Sequence, residues 1–284
     1  MTAWITREPT TNELERFRLL LSVVNALPGL ARQWKNGIPY PDFQLMEEAY
    51  AEAFGGFTPR AKDVFDVLAA NRDETQYYGV QLKMKEGLGP ATSNADLART
   101  GQFPESGRLY FELSNQQAGA LDAAGVSLED LQSRTADPSA AGQAVIQLAI
   151  QQHENARLRH VGLPNGFEID VESSVSILMT WTLHEDNFRY WLHSFPHLLP
   201  QCQLWTYTGE NVPSKSIRGF ESEDDRNANQ QVYDWYFSSG GHLKWYPQIQ
   251  HAIRSYGPFD LESVDTPTTL EDVTRSAFPN YPMS

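Results

Sequence analysis

The sequence predicts an α/β (α+β) domain with a central mixed β-sheet, helices gathered early and a strand-rich C-terminal half. Three observations predict it. Apolar residues recur at helical spacing in two segments before residue 55. Beyond residue 165 the chain is dominated by short runs rich in aromatic and β-branched residues. No internal repeat and no low-complexity linker divides the 284 residues, so residues 1–284 are read as a single domain.

Taken in order, residues 12–27 form the first helix. Asn12 is the expected N-cap with Glu15 reaching back, and Leu14, Phe17, Leu20, Leu21 and Val24 make one stripe. Pro28-Gly29 ends it. Residues 43–54 form the second helix. Leu45, Met46, Ala49, Tyr50, Ala53 and Phe54 share its apolar face, Glu47, Glu48 and Glu52 another, and Gly55-Gly56 stops it. Strands follow at 63–70 and 76–85, joined by the polar turn Asn71-Arg72-Asp73-Glu74. Residues 87–104 read as loop and 108–113 as a strand. Short helical pieces at 115–124 and 127–133 precede a helix at about 141–158. Strands are expected at 166–171, 175–183, 202–208, 231–237 and 242–246, with a short helix at 186–195 and a solvated loop at 221–229.

Composition narrows the function classes. With 40% hydrophobic and 20% charged residues the chain reads as a water-soluble globular protein. Its apolar runs, such as Leu19–Leu27, are broken by Ser22 and Asn25 and fall short of the ~20 residues of a membrane span. The N-terminus lacks a basic stretch followed by an apolar one, so no signal peptide is expected. The single cysteine, Cys202, excludes a disulfide framework and a multi-cysteine zinc site. A reducing cytoplasm fits. Net charge is -14, which weighs against a nucleic-acid partner unless the cations are gathered in one cleft.

The stretch that carries chemistry is the hairpin. Alternation places Gln81 and Lys83 on one face of their strand, with Val80 and Leu82 on the other. An aspartate on the preceding strand then completes a cluster of carboxylate, amide oxygen and ammonium, groups that suit Mg²⁺ and a phosphodiester. A turn centred between Asp73 and Glu74 sets Asp66 opposite Gln81. One centred on Asp73 sets Asp63 opposite Lys83. The flanking residues Val64, Phe65, Val67, Tyr78 and Val80 are apolar enough for central strands, where charged side chains need a reason.

An acidic helix (Glu48, Glu52), a strand with Asp63 or Asp66, and a strand with Gln81-x-Lys83 together resemble the core of the PD-(D/E)XK nuclease superfamily, and within it type II restriction endonucleases. The resemblance covers about residues 43–115. It departs in two places: no proline directly precedes either aspartate, and Gln81 stands where a carboxylate is commoner. The resemblance implies a restriction-endonuclease-like core and sequence-specific, Mg²⁺-dependent hydrolysis of double-stranded DNA. It implies Asp66 or Asp63, Gln81, Lys83, Glu52 and Glu48 as the site, with Asp66, Asp63 and Gln81 on the metal. It also implies a homodimer in a bacterial cytoplasm.

Residues 166–260 are the expected recognition half. Lys215, Arg218, Arg226, Asn229, Gln231, His242 and Lys244 suit base edges and phosphates. Two alternatives stay open: a nonspecific nuclease of the same superfamily, and a non-catalytic α+β binding protein with an acidic surface. Other signals are set aside. His184-Glu185 lacks a second histidine four residues on, and Gly87-x-Gly89 lacks a third glycine. Pro196 spoils the His193/His197 spacing, and His153 and His160 are expected on a polar helix face.

Overall fold

The structure, a computed structural model, describes residues 2–26, 31–59, 64–71, 73–87, 111–112, 121–122, 124–161, 166–184, 187–237 and 242–262. Its elements in chain order are α1 (Thr11–Leu21), α2 (Val23–Ala26), β1 (Gln33–Lys35), β2 (Ile38–Tyr40), α3 (Phe43–Phe54), β3 (Val67–Ala70), β4 (Tyr77–Glu86) and β5 (Phe111–Glu112). There follow α4 (Leu128–Ser133), α5 (Pro138–Leu158), β6 (Val175–His184), β7 (Asn187–Pro196), β8 (Leu204–Tyr207), β9 (Ser216–Phe220), α6 (Glu223–Asn227), β10 (Tyr233–Tyr236), β11 (His242–Trp245) and β12 (Arg254–Asp260). The fold is mixed α+β.

Two five-stranded sheets organise it. The first is mixed, in the order β12-β7-β6-β4-β3, with β4 and β6 parallel and the other pairs antiparallel. The second is antiparallel, in the order β5-β11-β10-β9-β8. A parallel neighbour requires a crossover, and α5 lies on the connection from β4 to β6.

The burial pattern gives each face of the mixed sheet its own partner. Val80 and Leu82 of β4, with Val175, Ile177 and Met179 of β6, pack with Phe17 of α1 and Met46, Tyr50 and Phe54 of α3. On the other face Leu178, Trp191 and Phe195 join Val145 and Ile146 of α5 and Trp205, Ile217, Tyr233 and Trp235 of the second sheet. Helices α1 and α3 thus cover one side, and α5 with the second sheet covers the other.

Helix starts follow local chemistry. Thr10, not Asn12, caps α1, in a capping box with Glu13, and Asp42 caps α3 by accepting from Leu45 N at 2.8 Å. Pro138 opens α5 behind the cap Asp137. Helix α3 matches its predicted range.

Three expectations are corrected. Residues 187–196 form a long strand rather than a helix, and both of its faces are buried. Phe188, Tyr190 and Leu192 enter one core and Trp191 and Phe195 the other, so no polar alternation marks it as β. The 166–171 segment makes a single bridge, Ile169 with Tyr77, rather than a strand. The acidic tract 221–229 contains α6, whose cap Ser222 accepts from Asp225 N.

Candidate functional site

The hairpin register is set at its turn. Asn71 Oδ1 accepts from Thr75 N at 2.8 Å and Gln76 N at 3.2 Å, and Asn71 N donates to Gln76 O at 2.9 Å. One side chain therefore ties both ends of the loop. The resulting pairs run Ala70↔Tyr77 to Val67↔Val80. This is the register of a turn centred between Asp73 and Glu74, and its ladder stops at Val67. Asp63 lies outside the described residues.

Asp66 ends the β3 ladder. Its N–H donates to Val80 O at 3.0 Å. Its carboxylate Oδ2 accepts from Leu82 N at 2.8 Å and lies 4.0 Å from Lys83 Nζ. The Asp66 and Lys83 side chains are 15% and 33% exposed, so the pair is reachable by solvent. Oδ1 of Asp66 has no hydrogen-bond partner among the described residues.

Gln81 is buried and turns the other way. Its Oε1 accepts from Ser176 Oγ of β6 at 3.3 Å, and Ser176 Oγ lies 3.0 Å from His197 Nδ1. Across the sheet these residues form the row Gln81↔Ser176↔Phe195, next to Lys83↔Leu178↔His193↔Ser255. Phe65 packs above the first row. A Cβ built on Gly79 would sit 2.1 Å from its ring, so glycine is what lets the ring lie there.

Glu48 and Glu52 do not join Asp66. Both are exposed on α3, which packs on the Val80–Leu82 face, opposite Gln81 and Lys83. Glu48 accepts from Gln44, and Glu52 pairs with Arg16 of α1. Among the described residues no group of three metal-ligating side chains forms.

Sequence reasoning missed the histidines beneath α5. His153 is buried rather than solvated, with its ring centroid 4.2 Å from that of His197. Helical spacing gave no warning, because His153 faces inward among Gln151, Gln152 and Glu154. Burial holds His197 well below the ordinary imidazole range, assisted by His153, and lowers His193 to about 4. A lowered imidazole pKa means the fold favours the neutral ring. Its stability contribution is present above pH ~6.5 and is lost as pH falls towards 4. His193 alone should cost about 2 kcal/mol between pH 7.5 and 5. Urea unfolding at the two pH values measures this, and equal midpoints would contradict it.

Of the seven expected DNA-contacting residues, Arg218, His242 and Lys244 share one face of the second sheet, and Lys215, Arg226, Asn229 and Gln231 lie in the segments between its strands. Register sets Thr206, Arg218, Asp234, Lys244 and Glu112 in one row across five strands. Most of these cations already have partners. Arg218 Nε donates to buried Asp234 at 3.0 Å, and its Nη1 donates to Asn229 at 2.9 Å. Burial raises the Asp234 carboxyl, and Arg218 opposes that shift. Arg226 pairs with Glu223, and Lys244 lies 4.2 Å over the Tyr236 ring. Gln231 is buried, His242 is half-buried at the start of β11, and Lys215 is exposed.

A separate groove of about 990 Å³ runs past Glu74, Glu154, Glu168, Asp170 and Glu172 and includes neither Asp66 nor Lys83. Its carboxylates repel phosphate, so it does not extend the hairpin site. Cys202 is an inert buried thiol, pushed up to about 11 by burial. No described helix is long and apolar enough to cross a membrane. Comparison with protein-family models, curated proteins and solved structures finds no match to this chain.

Proposed function

We propose that this chain is a Mg²⁺-dependent endodeoxyribonuclease with a restriction-endonuclease-like core, cleaving double-stranded DNA at a specific short sequence as a homodimer. The observation that carries the reading is the Asp66 carboxylate 4.0 Å from Lys83 Nζ on the hairpin, with Gln81 on the same face of β4 as Lys83. The topology supports it, since the hairpin is followed by the crossover helix α5 and the parallel strand β6.

The residues fit a hard cation sparingly. Asp66 offers a partly exposed carboxylate with one oxygen uncommitted among the described residues. Mg²⁺ commonly takes one or two carboxylates and completes its shell with water and substrate phosphate. Asp66 would hold it, and Asp63 remains a candidate ligand. When bound, the cation polarises the phosphodiester as a Lewis acid. Lys83 places a positive charge where negative charge builds during in-line displacement. Lys215 and the row containing Arg218 and Lys244 would contact the duplex, Lys215 at phosphate and the others after exchanging internal partners for DNA.

A second reading is favoured by one observation. The Asp66 carboxylate supplies the acceptor that a longer β3 would give to Leu82 N. On that reading the chain is a non-catalytic binding protein. Phage-length duplex DNA incubated with the protein in Mg²⁺ or in EDTA separates them. Discrete Mg²⁺-dependent fragments are expected. A Mg²⁺-dependent smear would indicate a nonspecific nuclease, and intact DNA at every salt concentration the binding protein.

A further inference from the structure

The Ser176 hydroxyl has one proton and two neighbours that can take it. It lies 3.3 Å from Gln81 Oε1 and 3.0 Å from His197 Nδ1. All three side chains are buried, at 1%, 5% and 1% exposure for Ser176, Gln81 and His197. Water therefore does not substitute for a partner of the Ser176 hydroxyl.

His197 decides the direction of the chain. Its ring sits between those of His153, 4.2 Å away, and Phe65, 4.7 Å away, centroid to centroid. Its Nε2 has no hydrogen-bond partner among the described residues. Burial keeps the ring neutral, with a single N–H. An orphaned buried N–H is costlier than an orphaned lone pair, so the proton belongs on Nδ1, where it has an acceptor. Nδ1–H then donates to Ser176 Oγ, and the Ser176 O–H is left to donate to Gln81 Oε1.

The consequence reaches the hairpin site. Strand β4 lies between β3, which follows Asp66, and β6, which carries Ser176. With its oxygen accepting from Ser176 of β6, the carboxamide has its Nε2 hydrogens left without a partner among the described residues. We infer that His197 and Ser176 are positioning residues that hold the Gln81 oxygen inward, so that Gln81 serves the site as a hydrogen-bond donor to substrate phosphate oxygens and not as a cation ligand. This rests on the phosphodiesterase reading and changes the role that the Gln-x-Lys pattern suggests.

The test uses Mn²⁺ binding by calorimetry together with kcat and KM for DNA cleavage, on the whole chain. Wild type should bind Mn²⁺, and Asp66→Asn should weaken that binding about 10-fold or more. Gln81→Ala should leave Mn²⁺ affinity within about 2-fold while cleavage falls about 100-fold. Gln81→Glu keeps an acceptor for Ser176 but cannot donate, so it should fold and still lose cleavage. Ser176→Ala should cut cleavage about 10-fold with Mn²⁺ affinity unchanged, and Ser176→Thr should restore it. If Gln81→Ala abolishes Mn²⁺ binding, or Gln81→Glu cleaves as well as wild type, Gln81 is a ligand and the inference falls while the nuclease reading stands. If wild type binds no Mn²⁺ and cuts no DNA, the nuclease reading itself falls, and the inference with it.

Discussion

Lys83→Ala is expected to lower DNA cleavage by about 10³-fold while the protein stays folded. The size follows from removing a preorganised positive charge from the place where phosphate charge develops. Retention of the fold follows from exposure. The Lys83 side chain is 33% exposed and its contact with Asp66 is 4.0 Å, so its loss should change stability by less than about 1 kcal/mol. Initial rates on one DNA substrate, with a thermal melt of each protein, measure both. A Lys83→Ala protein that cleaves normally would remove Lys83 from the site. One that fails to fold would make it a structural residue.

Gly142→Ala is expected to destabilise the protein by about 3 kcal/mol, with a fall in Tm of about 5–10 °C. The sign is opposite to the ordinary one, because alanine in a helix interior is favoured over glycine by about 1 kcal/mol. Gly142 lies in α5, and a Cβ there would come within 2.1 Å of the Trp205 ring. That ring cannot easily move. Its Nε1 donates to Cys202 O at 3.1 Å, and it stacks against Tyr233 at 6.0 Å and 10°. Glycine here is the means by which α5 seats on the second sheet. A variant as stable as wild type would show that α5 does not pack on Trp205 in this way.

Much of the layer arrangement was legible in the chain, for identifiable reasons. Helix α3 has one clean apolar stripe and a polar reverse face, so its period announces it. The β3–β4 hairpin has a polar turn between apolar runs, and the choice between its two registers rested on which residues closed the turn. Asn71 settles that through hydrogen bonds from its side chain, which spacing alone does not encode. Strand β7 was misread because burial on both faces erases two-residue alternation. Strand β9 was missed because Lys215-Ser-Ile-Arg218 looks like a polar loop. Within that stretch Ile217 enters the core, while Arg218 lies on the opposite face beside Asp234.

The site was legible in its residues and less so in their directions. Asp66 and Lys83 lie near each other, but Gln81 turns towards Ser176, a partner 95 positions away in sequence. Glu48 and Glu52 form a visible acidic ridge, yet the side of the sheet that a helix covers depends on the packing of Met46, Tyr50 and Phe54. The basic residues of the second sheet were identified as a group, but pairing such as Arg218 with Asp234 depends on strand register that no local pattern reveals.

The most direct measurement is cleavage of one phage-length DNA by wild type and by Asp66→Asn across a Mg²⁺ titration. Asparagine keeps an acceptor for Leu82 N and removes only the charge, so the fold is preserved. The account predicts discrete fragments from wild type that require Mg²⁺, and none from a folded Asp66→Asn protein. Equal cleavage by the two proteins, or cleavage by wild type that persists in EDTA, would contradict it.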